Sequence, residues 1–216
     1  MNEAMGLRQR KKQRTHTTIS DAAITLFLRH GFDQVSVADV AAAAEVSKPT
    51  LFKYFPTKED LVVHRFADHQ NMAGRIVRQR DPGTPVVTAL REHFLNGLLH
   101  RDPVTGLNDE HEILRFSGLV YSTPSLVARV GQYMAKAEDD LATTLREVPD
   151  LPAPREATAR LLAGQVTAVH RVLAELNRQQ IVGGATADEL YPEAVATADH
   201  AFSMLEQGLA ARAAAR

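Results

Sequence analysis

The chain contains no cysteine, which removes disulfide frameworks and thiolate metal sites and fits a reducing compartment. No apolar run approaches the ~20 residues that cross a bilayer, and the N-terminal stretch MNEAMGLRQRKKQR lacks the hydrophobic segment of a secretory signal. A cytoplasmic protein with no membrane partner is therefore expected. Alternating apolar and polar residues of the strand type are missing, as are repeats of solenoid period, a G-x-S-x-G elbow and a glycine-rich phosphate loop. The segment HEILR begins like a zinc-protease motif at His111 but carries Arg115 where the second histidine belongs. Among nine histidines, His93 and His100 share one helix face and His111 stands between Glu110 and Glu112. They define the competing class of function, a helical metal-binding or enzymatic protein that uses the His-rich C-terminal half. Isolated helical histidines are more often solvated or hydrogen-bonded than ligating, and neither a metal nor a cofactor is expected.

What is present points elsewhere. The 216 residues are 44% hydrophobic, enough to bury a sizeable core in one domain or two. The formal net charge of −1 hides an asymmetry: residues 1–60 carry nine Lys/Arg against seven Asp/Glu, and the remainder 16 against 19. The positive excess gathers in Arg8, Arg10, Lys11, Lys12 and Arg14, a cluster suited to phosphates and otherwise a solvated tail.

Helical periodicity dominates. From Arg14, the apolar residues Ile19, Ala22, Ala23, Leu26 and Phe27 recur at three and four, and Gly31 follows as a C-cap. Ser36 caps a second helix of about two turns, with Asp39 in capping-box spacing and Val37, Val40, Ala41 and Ala44 facing inward. Glu45 and Val46 make a tight turn, in which Glu45 implies that no positive φ is needed. Ser47 then caps a third helix with Pro49 in its first turn. Thr57 caps a long helix from Lys58, and further helices are expected at about 84–101, 108–121, 124–147, 155–180 and 187–213, punctuated by DPGTP and EVPDLPAP. The fold class is all-α.

Two short capped helices joined by a tight turn form a helix-turn-helix, whose second helix enters the DNA major groove. With Val46, Leu51 and Phe55 committed to the core, Lys48, Pro49, Thr50, Lys53 and Tyr54 are left outward, offering ammonium groups, a hydroxyl and an aromatic edge to bases and phosphates. An ordinary helical hairpin with a solvated face is the alternative, but caps, turn length and basic flank agree on the reader.

Residues 14–62, RTHTTISDAAITLFLRHGFDQVSVADVAAAAEVSKPTLFKYFPTKEDLV, closely resemble the DNA-binding domain of the TetR family of bacterial transcription regulators. The similarity lies in the GF after the first helix, the S-V-A-D-V entry, the A-x-V-S turn, the T-L-F-x-Y-F recognition helix and the F-x-x-K-E-x-L exit. It implies an N-terminal arm and three-helix reader over 1–57 and a helical ligand-binding and dimerisation domain over 58–216. Implied DNA contacts are Lys48, Pro49, Thr50, Phe52, Lys53 and Tyr54 around the Ser47 cap, Ser36 and Val37 toward phosphate, and Lys58 at the start of the fourth helix. Phe52 stands where the family commonly has Tyr, and belongs alternatively to the core. The resemblance further implies a ligand-responsive repressor that binds a palindromic operator as a homodimer through its two C-terminal helices. A small, lipophilic inducer would release it. Candidate pocket residues are Phe94, Leu98, Ile113, Phe116, Leu119, Tyr121, Tyr133 and Met134, with His93, Asn96 and Arg115 as polar members and plain core as the alternative.

Overall fold

The computed structural model describes residues 6–149 and 151–214. Among these it is all-α, with α1 (Leu7–His30), α2 (Val37–Ala43), α3 (Lys48–Tyr54), α4 (Asp60–Gln70), α5 (Met72–Gln79), α6 (Val86–Leu99), a 3-10 turn (Pro103–Thr105), α7 (His111–Ser122), α8 (Pro124–Arg146), α9 (Arg155–Val182) and α10 (Ala187–Ala214). The chain divides into two compact units: Met1–Ala67 with Arg115–Gly131, and Asp68–Leu114 with Gln132–Arg216. The first unit thus runs past the boundary expected at 57 and takes in a later segment.

In the first unit, α1 buries Ile19, Ala23 and Phe27 at successive turns of one face. Gly31 ends it at φ 87°, with its N–H returned to the Phe27 carbonyl at 2.8 Å. The helix begins at Leu7, not at Arg14. Arg8, Arg10, Lys11 and Lys12 are therefore part of α1 and do not precede it. Arg, Lys, Gln and Leu are strong helix formers and no Gly or Pro interrupts residues 7–30, so propagation carries the helix through the basic cluster.

Capping boxes set the next boundaries. Ser36 and Asp39 exchange bonds at the start of α2. Thr57 and Asp60 do the same for α4, with the Thr57 N–H and hydroxyl both donating to Asp60 Oδ2 at 3.0 and 2.8 Å. The turn between them is drawn tight, Leu61 N–H reaching Lys58 O, so regular α-helix starts at Asp60 and not at Lys58. The expected long fourth helix is also broken at Asn71 (φ −98°, ψ 9°), a residue of low helix propensity, which separates α4 from α5. Leu61, Val62 and Val63 are buried with Val40, Leu51, Phe55, Val120 and Leu126. Segment 115–131 is tied to this unit by Arg115, which donates to Leu28 O at 2.9 Å, and by Arg129, which pairs with the buried Asp60 at 2.7 Å.

In the second unit, α10 packs on α6 and α9, and α6 also meets α5 and the 3-10 turn. Leu90, Phe94 and Leu98 of α6 share a core with Leu141, Leu145, Leu162, Val166, Leu173, Ala198 and Phe202. Each such large side chain contributes about 1.5–3 kcal/mol of transfer free energy. The 3-10 turn lies so close to α9 that a Cβ on Gly106 would stand 1.9 Å from the Ala174 carbonyl oxygen. Asn177 locks that contact by donating to Thr105 O at 2.8 Å.

Candidate nucleic-acid interface

The recognition helix is built by division of labour along seven residues. Leu51 and the following Phe55 are buried at 0% and 1%, and they fix the rotation of α3. The Ser47 hydroxyl accepts from Thr50 N–H at 3.2 Å and bonds the Thr50 hydroxyl at 2.8 Å, closing the N-terminal turn. That rotation leaves Lys48, Pro49, Phe52 and Lys53 exposed and Thr50 and Tyr54 half-buried. Phe52 is 46% exposed, which removes its alternative placement in the core. The outward set is two ammonium groups, one phenyl ring and a proline, with Thr50 and Tyr54 half-buried beside them, a surface that meets base edges and phosphates.

The turn into this helix needs a left-handed residue after all. Glu45 has φ 54°, against the expectation that no positive φ is needed here. The two-helix geometry dictates the reversal, since Val46 N–H must reach back to Ala41 O at 2.9 Å. The local cost, about 1 kcal/mol for a residue with a Cβ, is outweighed by the packing of both helices.

Other expected contacts are engaged within the protein. Ser36 donates its hydroxyl and its N–H to Asp39 Oδ2 at 2.7 and 2.8 Å, so a carboxylate already occupies the α2 start where phosphate was expected. The Ser36 side-chain and backbone hydrogen bonds hold the Asp39 carboxyl below its usual range. Val37 is half-buried beside them. Lys58 is also turned inward: its ammonium donates to Phe32 O at 2.6 Å and lies over the rings of Phe32 and Phe27, 4.3 and 5.6 Å from their centroids. Arg10, Lys11, Lys12 and Arg14 are exposed along α1, while the side chain of Arg8 falls outside the described residues.

Behind the recognition helix lies an imidazole and aromatic cluster that no sequence spacing announced, because its members come from α1, α4 and the residue that ends α3. His16 of α1 sits 4.4 Å from the Phe55 ring and 5.0 Å from His64 of α4, and His64 is 5.1 Å from Phe55. Ser20 bonds His64 Nε2 at 2.9 Å. Burial, then the nearby His16, pushes His64 down to about 4.

The expected pocket residues are divided between the two units. His93, Phe94, Asn96, Leu98, Ile113, Tyr133 and Met134 belong to the second unit, and Arg115, Phe116, Leu119 and Tyr121 to the first. Phe94 and Leu98 are core, with Phe94 stacked on His170 at 5.3 Å. Arg115 is spent on Leu28 O, Phe116 lies under the Arg65 guanidinium at 5.6 Å, and Tyr121 is 48% exposed. A small open cleft of about 190 Å³ in the second unit is lined by Val77, Arg78, Arg80, Thr144, Glu147, Val148 and Pro149, none of which was anticipated. The residues of the competing metal site do not gather either. His100 Nδ1 bonds Asn96 O at 2.9 Å, and no group of three or more His, Asp or Glu that could hold a metal occurs among the described residues. No helix among them is long and apolar enough to cross a membrane.

Known proteins share this architecture. The family profile described as bacterial regulatory proteins, tetR family, matches residues 19–64, which hold the buried face of α1, all of α2 and α3, and the start of α4. MftR of Mycobacterium tuberculosis is 36% identical over 86 residues, 40% of this chain and 43% of its own length, so the match spans under half of that relative. The HTH-type transcriptional regulator TcmR of Streptomyces glaucescens is 25% identical over 170 residues, 78% of this chain and 75% of its own. NalD, the secondary repressor of the MexAB-OprM multidrug efflux pump in Pseudomonas aeruginosa, superposes with a TM-score of 0.56 at 16% identity, over 88% of this chain and 97% of its own, a likeness of fold. With the exposed lysine-bearing α3 and the capped two-helix turn, residues 19–64 form a DNA-binding domain of the tetR-family type, and the chain as a whole is similar to TetR-family transcriptional regulators.

Proposed function

We propose that the protein is a repressor that binds a palindromic operator as a homodimer, pairs through α9 and α10, and is released by a small lipophilic ligand. The observation that supports this best is a second apolar face on α9. Its inward face buries Leu162, Ala163, Val166, Leu173 and Ile181, while on the opposite face Leu161, Val172 and Leu176 are 57%, 45% and 45% exposed, with Ala168 between them. On α10, Met204 is 62% exposed, with Ala196 two turns before it. Apolar side chains spaced along solvent-facing helices are suited to a symmetric four-helix contact with a second copy. Dimerisation also serves recognition, because a reader of seven residues gains affinity by engaging two half-sites at once.

Base reading is assigned to Lys48, Pro49, Thr50, Phe52, Lys53 and Tyr54, and backbone binding to Arg10, Lys11, Lys12 and Arg14 on the basic start of α1. An apolar inducer would bind within the second unit, where the open cleft beside Val77, Thr144 and Val148 is the space the structure offers. Selection of bound fragments from a random DNA pool tests the reading directly. The expected product is a palindrome with half-sites about one helical turn apart or somewhat more. Asymmetric or unrelated fragments would refute the symmetric reader.

A further inference from the structure

The cluster behind the recognition helix is a joint between three elements: α1 supplies His16 and Ser20, α3 leads into Phe55, and α4 supplies His64. His64 Nε2 is held by the Ser20 hydroxyl, and its Nδ1 is buried with no hydrogen-bond partner among the described residues. A neutral imidazole satisfies this arrangement with one proton, shared toward Ser20. A second proton would place a charge in this buried cluster, 5.1 Å from the Phe55 ring and 5.0 Å from His16, where the backbone carbonyls of Asp60 and Leu61 offset only part of its desolvation. The charged neighbours do not offset it. On α4, Asp60 is engaged by Arg129 and Thr57, and Arg65 pairs with Asp21 of α1 at 3.3 Å while adding positive charge. From α3, Tyr54 faces His16 edge-on at 6.3 Å.

We propose that His64 is the proton-sensitive element of a latch that docks α4 on α1 and α3, so that acidification loosens the recognition helix and weakens DNA binding. The proposal rests on the DNA-binding reading above for its consequence, though not for the latch itself. The sign follows from burial. The docked imidazole protonates near 4, and a solvent-exposed one near 6.5. Undocked chains therefore take up protons first as pH falls below 6.5, and docking is fully supported above that value and progressively lost between 6.5 and 4. One unit below 6.5 the docking equilibrium shifts by at most roughly tenfold, since His64 is only half-buried and keeps some contact with water. The direction is diagnostic, because extra positive charge on a DNA-binding surface strengthens binding on acidification.

The experiment uses the full chain at constant salt and compares the natural protein with His64→Gln, which can still bond Ser20, and with His16→Gln. Hydrogen exchange of α1 and α4 amides reports docking, and fluorescence anisotropy on the selected operator reports affinity, each at pH 7.5 and 5.5. Opening of the natural protein relative to His64→Gln should grow up to about tenfold between the two pH values, and its operator affinity should fall relative to that variant. A ratio that stays within twofold, or a pH response abolished by His16→Gln and untouched by His64→Gln, overturns the latch. Equal pH profiles of affinity in the presence of differential opening overturn its coupling to DNA. If neither protein binds DNA at pH 7.5, the DNA-binding reading fails while the exchange data still decide the latch. Should His64→Gln not fold, the NMR titration of the His64 ring in the natural protein replaces it: a midpoint below about 5 supports the proposal, and one at 6 or above refutes it.

Discussion

Replacing Lys58 by Ala separates two roles that the residue could play. Its position at the start of the fourth helical segment suits a phosphate contact, and loss of one such contact lowers the salt slope of DNA binding by about 0.9 per subunit. The structure spends the ammonium otherwise. It donates at 2.6 Å to Phe32 O, in the loop between α1 and α2, and lies 4.3 Å from the Phe32 ring. A hydrogen bond from a charged donor is worth about 1.5–3 kcal/mol, and a cation over an aromatic face at a partly exposed site about 0.5–1 kcal/mol. Against these, truncation restores roughly 1–2 kcal/mol of side-chain freedom. The net expectation is a loss of about 1.5 kcal/mol, with the salt slope nearly unchanged. Chemical denaturation of Lys58→Ala, beside anisotropy on operator DNA over a salt series, measures both quantities. Unaltered stability with a slope reduced by about 0.9 per subunit would refute the inward clamp and restore the phosphate contact.

Glu45→Gly relieves a left-handed residue at φ 54° and should stabilise the protein by about 0.5–1 kcal/mol after the entropic cost of glycine; Glu45→Gln, which keeps the strain and removes the charge, should not, and a shared denaturation midpoint would contradict this. Gly106→Ala must place a Cβ 1.9 Å from Ala174 O at φ 73° and should cost more than about 3 kcal/mol, whereas Gly31→Ala, with open space around it but φ 87° and ψ 150°, should cost roughly 1–3 kcal/mol from backbone strain alone in the same denaturation assay. Lys48→Ala, at an exposed position of the recognition helix, should lose about 1–3 kcal/mol at one operator position and leave binding to scrambled DNA nearly intact; full retention of operator preference would remove Lys48 from the base-reading set.

By itself the sequence determined the all-α class, the reader and most helix limits, because those depend on local signals: a 3.6-residue apolar period, Ser and Thr caps with Asp three residues on, and Gly31 at a helix end. The burial of Leu51 beside the exposure of Lys48 and Lys53 follows from the same period. Local signals also misled where propensity and packing disagree. The basic cluster reads as a tail from its charge, yet it continues α1 because nothing in residues 7–13 breaks a helix. Glu45 reads as a turn residue that needs no positive φ, but the tertiary contacts of α2 and α3 impose it. What only the tertiary structure decided are relations between residues far apart in the chain: the inward Lys58 clamp on Phe32, the Asp60–Arg129 pair that joins a later segment to the reader unit, and the His16–Phe55–His64 joint. Each needs groups from separate segments of the chain to meet at hydrogen-bond or ring-contact distance. Such meetings leave no periodic trace in one sequence, because a partner 26 or 69 positions away is set by how helices pack and not by spacing along the chain.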